Sequence, residues 1–263
     1  MDPQKSRKKV PLLCAAAVAV APLLAEAADP SSADDWRYSA SIYLWGAGIK
    51  GETAAGSDVD VGFDTLLKNL NMTFMGTFEA RKAEWSFLTD VVYLNVGVDG
   101  GAEVPVNLAS GQVATAKVDA DLKTKGWVLN LLGGYNLWQA EQGALDLVGG
   151  ARYFDLKLDF GLGVGDGTYA TEQKQSVSGR VWDAVVGVRG YANLNERWYL
   201  PYHLDVGTGQ SDLTWQASAG LAYRFDWGDA SLGYRHMNWE FDSDSPIDHM
   251  SFSGPLLAAK FRF

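Results

Sequence analysis

The chain has 263 residues, 22 basic against 32 acidic, a formal net charge of −10 and one cysteine. The acidic balance argues against a nucleic-acid binder, and a single cysteine allows neither an internal disulfide nor a thiolate metal cluster. Beyond the N-terminal segment no apolar run approaches the roughly 20 residues of a membrane-spanning helix, so only strands could carry this chain across a bilayer.

The N-terminus reads as a targeting segment. Lys5, Arg7, Lys8 and Lys9 form a basic start, Val10 to Leu24 an apolar stretch, and Ala25-Glu26-Ala27 a small-residue cleavage site. A cleaved signal peptide over 1–27 is expected, with a retained anchor as the alternative. Its removal takes away Cys14, four basic and two acidic residues, and leaves a charge of −12. Residues 28–35 read as a flexible lead, and a β-barrel domain is expected over 36–263.

From Trp36 onward the chain alternates. A strand turns successive side chains to opposite faces, so a period of two sorts each stretch into an apolar and a polar face. Trp36, Tyr38, Ala40, Ile42 and Leu44 oppose Arg37, Ser39 and Ser41. Gly51 to Asn71 reads as a long connection, with a helical turn at residues 63–70 capped by Asp64 and an extra short strand at Val59-Asp60-Val61. The helical turn could plug a lumen or rest on a rim. Met72 to Arg81 alternates, with Glu79 and Arg81 on the polar face. A tight turn at 82–85 leads to Ser86–Val98, where Asp90 opposes Val91 and Tyr93.

Asp99 to Gln112 reads as a glycine-containing loop, and Val113–Leu122 as a hairpin reaching past the membrane. Trp127 to Leu137 is a crossing with Asn130 and Asn136 on its polar face. After a turn at 139–143, Leu145 to Tyr153 sets Asp146 and Arg152 against apolar neighbours. Phe160 to Ser178 reads as a second long loop. Trp182 to Leu194 carries Asp183 and Arg189 on its polar side, and Trp198 to Val206 carries His203 and Asp205.

Leu213–Phe225 shows the pattern most plainly. Leu213, Trp215, Leu221, Tyr223 and Phe225 alternate with Thr214, Gln216, Ser218, Gly220 and Arg224 over a length suited to a tilted crossing. After the turn at 226–229, Arg235 opposes Leu232 and Tyr234. The phase then shifts, because Met237, Trp239 and Phe241 fall on the other parity, which suggests a bulge or emergence from the membrane. Asp242 to Asp248 is an acidic loop. Met250–Phe263 ends with Leu257, Ala259, Phe261 and Phe263 against Lys260 and Arg262.

The pattern predicts an all-β fold: a transmembrane antiparallel up-and-down β-barrel of about ten strands. The count is twelve if 59–61 and 113–122 are separate crossings. Long and short connections alternate, as in barrels with short periplasmic turns. Tryptophans 36, 85, 138, 198 and 227 lie near the short turns, where interface anchors belong.

Signal peptide, repeated amphipathic strands and a C-terminal Lys260-Phe261-Arg262-Phe263 together resemble Gram-negative outer-membrane β-barrels. The terminal phenylalanine, with Phe261, Ala259 and Leu257 at alternate positions, is similar to the signal that such proteins present to the barrel assembly machinery. Tyr43-Leu44-Trp45 and Asp90-Val91-Val92-Tyr93-Leu94 resemble small, poorly characterised porin-like barrels. The resemblance implies the outer membrane as location and its lipid as surroundings. It implies no particular activity.

With the polar faces inward, the expected lumen charges are Arg37, Glu79, Arg81, Asp90, Asp146, Arg152, Asp183, Arg189, His203, Asp205, Arg224, Arg235, Lys260 and Arg262. Paired, they would fill a narrow structural barrel. Unpaired, they would make a thin channel for small solutes or ions that favours anions. No catalytic, cofactor or metal residues are expected. His203 shares a face with Asp205 and could orient a base, yet no partner nucleophile stands out, Ser231 being one only in name. His249 beside Asp248, near Asp242 and Asp244, could form a rim site for acid–base chemistry or a metal. The expectation is thus a non-enzymatic barrel. The alternatives are a rim enzyme acting on lipid or peptide, and a soluble periplasmic lipocalin-like barrel with its apolar faces inside.

Overall fold

A computed structural model describes residues 35–53, 58–61, 70–107, 113–165, 170–242, 245 and 247–263. The targeting segment, all but the last residue of the lead, and the expected helical turn up to residue 69 lie outside these. Leu70 itself opens a strand.

Twelve strand segments follow in order: β1 (Arg37–Trp45), β2 (Gly48–Thr53), β3 (Asp58–Val61), β4 (Leu70–Lys82), β5 (Trp85–Asn107), β6 (Val113–Ala140), β7 (Gly143–Gly165), β8 (Ala170–Asn193), β9 (Trp198–Gly209), β10 (Leu213–Phe225), β11 (Gly228–Glu240) and β12 (Ile247–Arg262). Ten of them close a cylinder. β1 pairs with β4, each strand from β4 to β12 pairs antiparallel with the next, and β12 returns to β1 from Ser39↔Arg262 to Trp45↔Leu256. β2 continues β1 past a break at Gly46–Ala47, runs on along β12, and holds β3 at its other edge. At that break Gly254 lies so close to Gly46 that a Cβ would stand 1.9 Å from the Gly46 carbonyl oxygen. The closed count is therefore ten. Residues 58–61 form a strand outside the cylinder, and 113–122 are the start of β6.

The inside-outside assignment follows from burial. Ile42, Leu44, Phe74, Phe87, Leu131, Leu147, Val186, Leu204, Leu221, Leu232 and Leu257 are exposed on the outer face, whereas Arg152, Asp183, Asp205 and Asp229 inside are at most 2% exposed. A large apolar skin around a polar interior is a membrane barrel's arrangement, because lipid needs no hydrogen bonds and closure leaves no unpaired edge in the bilayer. It is the reverse of a soluble ligand-holding barrel. On β6 the skin runs from Trp127 to Trp138, about 28 Å along the normal for a strand tilted by about 40°. Trp36, Trp85, Trp138, Trp198 and Trp227 form an exposed belt at the short-turn end.

Two expected long loops prove to be mostly strand. β5 and β6 stay paired from Trp85↔Tyr135 up to Asn107↔Val113, and β7 and β8 up to Gly165↔Ala170. Glycine weakens an isolated strand, but a continuous two-sided ladder supplies the backbone partners, so context overrides propensity here. The wall from β5 to β8 consequently rises well past the membrane. The expected phase shift in β11 is also absent. β11 pairs without a break from Gly228↔Phe225 to Glu240↔Leu213, and Met237 and Trp239 share the inward face with Arg235. The face changed character, not direction: the lumen itself turns apolar toward the outer end.

Candidate functional site

The lumen is filled in tiers. Nearest the short-turn end, Asp229 accepts hydrogen bonds from Tyr199 Oη at 2.7 Å and from Arg262. Arg224 lies over the Tyr199 ring at 4.4 Å and donates to Asn193 Oδ1 at 2.7 Å. Next comes Glu79, with Arg81 at 3.1 Å, Arg189 at 3.2 Å and Lys260 at 3.7 Å. Arg81 also pairs with Asp146, which accepts from Asn136 Nδ2 at 2.7 Å. Opposite charges on β4 and on β7, β8 and β12, none of them a neighbour of β4 in the sheet, thus neutralise one another across the bore.

Higher up, six side chains from six strands close a hydrogen-bonded circuit. Arg235 Nη2 donates to Asp90 Oδ2 at 2.7 Å, and Arg235 Nε to Gln216 Oε1 at 2.9 Å. Gln216 Nε2 reaches Asp205 Oδ2 at 3.3 Å. Arg152 Nη2 clamps both Asp205 oxygens at 2.7 and 2.8 Å, while its Nε donates to Asn130 Oδ1 at 2.7 Å. Asn130 Nδ2 closes the circuit on Asp90 Oδ2 at 3.0 Å. Tyr43 Oη from β1 donates to Asp90 Oδ1 at 2.5 Å, and Thr214 Oγ1 accepts from Arg152 Nη1 at 3.1 Å. Two arginines and two aspartates make the ring electrically neutral. Charge-assisted bonds at this burial are the strong kind, since a low local dielectric strengthens them.

A dry layer lies directly on this ring. Trp239 stacks on Phe154 at 4.5 Å and meets Phe252 edge-on at 5.9 Å. Trp45, Met75, Val92, Val128, Val181, Met237 and Met250 belong to the same cluster. The two ring arginines face it from below, Arg152 at 5.8 Å from the Trp239 ring and Arg235 at 5.1 Å from Trp45, a placement that favours a cation under an indole. Below the ring lies a cavity of about 230 Å³, bordered among others by Ser41, Thr77, Arg189, His203, Ser218 and Ser231.

Of the charges assigned to the lumen, Glu79, Arg81, Asp90, Asp146, Arg152, Arg189, His203, Asp205, Arg224, Arg235 and Lys260 come together in these tiers. Arg37 and Arg262 are exposed at the short-turn mouth, Arg262 reaching in to Asp229. Asp183 is buried, but its Oδ1 accepts from Ser211 N at 2.9 Å and so holds the loop between β9 and β10. Asp229, counted with the 226–229 turn from sequence, is instead a lumen acid, 1% exposed. Its position one residue past Gly228 was the available signal. Tyr43, singled out in the sequence only by a resemblance, anchors β1 to the ring. The inward parity it shares with Ser39 and Ser41 could have placed it.

His203 Nε2 stands 2.8 Å from Asp205. Ser218 faces His203 directly in the β9–β10 register, but among the described residues no hydroxyl donates to the imidazole. Asp205 is already clamped by Arg152. At the rim, His249 pairs in register with Glu240 and Glu52. Among the described residues no three His, Cys, Asp or Glu side chains converge as metal ligands, and Asp244 lies outside them.

The even-stranded closed cylinder with a lipid-facing skin and short turns at one end is the architecture of bacterial outer-membrane barrels. No protein-family model matches the chain, and no curated protein matches its sequence. Similar solved structures include the translocator domain of the autotransporter NalP from Neisseria meningitidis (16% identity, 89% of this chain and 90% of that one, TM-score 0.41). Others are the outer-membrane protease OmpT from Escherichia coli (9%, 88% and 98%, 0.46) and the attachment invasion locus protein Ail of Yersinia pestis (13%, 88% and 99%, 0.35). At these identities and scores the likeness is one of barrel architecture.

Proposed function

We propose that this chain is a non-enzymatic outer-membrane barrel with a sealed lumen: a structural wall element, not a diffusion channel. One observation carries this reading. The closed circuit Asp90–Arg235–Gln216–Asp205–Arg152–Asn130 spans the bore, and the Trp239–Phe154–Phe252 layer sits on it. An ion would have to break charged hydrogen bonds and then cross a dry aromatic tier, each a barrier of several kcal/mol. The His203–Asp205 pair supports a structural role too, since Arg152 competes for the carboxylate that would orient a base. The outward residues Leu257 and Phe261 of the last strand, with Phe263 just past its end, suit recognition by the assembly machinery.

Planar-bilayer recording tests the seal. Barrels whose insertion is checked by heat-modifiable gel migration should give no current steps above leak, and no hydrolysis of lipid or peptide. Regular unitary steps in the unmodified protein would overturn the sealed reading. A second reading keeps one supporting observation. The cavity below the ring borders Arg189, whose Nη1 is buried without a hydrogen-bond partner, so current, if seen, should favour anions.

A further inference from the structure

Just above the outer aromatic tier, the wall formed by β6, β7 and β8 changes character. Tyr93 and Trp127 meet at 4.4 Å, and Tyr153 and Trp182 at 4.8 Å, both pairs on the lipid side. Beyond them the outward positions become Lys123 and Lys125 on β6, Asp155, Lys157 and Asp159 on β7, and Arg180 on β8. The four cations are exposed. Lys157 pairs with Asp159 at 3.1 Å, and Arg180 with Asp155 at 3.5 Å. Lys123 and Lys125 make no ion pair among the described residues. Asp159 also stands opposite Lys123 in the register, so among the described side chains the patch holds four cations against two carboxylates, on a chain whose net charge is −10. At the outer end of β10 to β12 the exposed charges among the described residues are Asp212, Glu240, Asp242 and Asp248, so that side is acidic at this height.

The position in depth is specific. Lys125 lies two residues past Trp127, about 5 Å higher along the normal, and Lys123 about 10 Å higher. The headgroup layer occupies roughly 5–8 Å beyond the hydrocarbon core. Long lysine stems can place their ammonium groups anywhere within it. Moreover, Lys125 and Lys157 are direct cross-strand partners. Like charges so placed destabilise a sheet in water. An anion between them removes that repulsion.

We infer that Lys123, Lys125, Lys157 and Arg180 form a binding site for the phosphate groups of an outer-leaflet lipid headgroup, above the Tyr93–Trp127 and Tyr153–Trp182 pairs. The inference rests on the membrane placement of the barrel in the preceding reading, but not on its sealed lumen.

The test titrates the detergent-solubilised full chain with lipid A, and with the same lipid stripped of both phosphates, scored by native mass spectrometry. The K123Q/K125Q variant, checked for folding by heat-modifiable migration, should bind lipid A about 25-fold more weakly. The stripped lipid should bind both proteins alike. R197Q, at the opposite end, should behave as the unmodified chain. Equal lipid A affinity in K123Q/K125Q, or no preference for the phosphorylated lipid, overturns the inference. So does displacement of lipid A by millimolar inorganic phosphate, which would mark a free-anion site. A conducting barrel that still prefers lipid A would sink the sealed lumen and leave this site standing.

Discussion

Replacing Arg152 by methionine would show whether the bore is as dry as its hydrogen bonding implies. The guanidinium is fully buried, with two bonds to Asp205 at 2.7 and 2.8 Å and one to Asn130 at 2.7 Å. Methionine keeps much of the stem but strands the Asp205 carboxylate, leaving it Gln216 at 3.3 Å and His203. Breaking a buried pair from one side costs about 3–5 kcal/mol, most of it the uncompensated charge. Neutralising that charge with Asp205→Asn in the same chain should therefore return at least half of the loss. Urea unfolding in lipid-detergent micelles, followed by tryptophan emission, measures both variants and D205N alone, which closes the double-mutant cycle. A loss below about 1 kcal/mol for R152M, or no recovery in the double variant, would mean that water already solvates Asp205. The sealed lumen would then be wrong.

Three further outcomes follow from the same geometry. Trp239→Ala removes a ring with no exposed surface, stacked on Phe154; it should cost about 3–5 kcal/mol in the same unfolding assay. If the dry layer is part of the seal, the variant should also raise bilayer leak. Leu221→Arg puts a charge on the exposed mid-height skin of β10 and should cost about 2–4 kcal/mol of barrel stability, whereas a soluble barrel would barely register it. Gly228 sits at φ +152°, and a Cβ there would stand 2.3 Å from the Lys260 carbonyl oxygen, while Gly179 has open space. Gly228→Ala should destabilise by about 1–3 kcal/mol and Gly179→Ala should not, compared by urea midpoint.

Alternation alone determined the architecture. A residue's parity along Leu213–Phe225 decides whether it meets lipid or lumen, and that is a local property of the pleat. Hence the crossings, the short turns and the inward parity of most of the charges are legible in the sequence alone. Three things are not. Strand length in β5 to β8 depends on whether a neighbour supplies hydrogen bonds to glycine-rich backbone, which only the sheet decides. The apolar inward run Met237 and Trp239 looked like a change of phase because parity names a face, not what fills it. Above all, whether Arg152 and Asp205, 53 positions apart in the chain, line an open pore or bridge it depends on the bore's width. That width is set by the number of strands and the way the cylinder closes, and a linear pattern of side chains carries no measure of it.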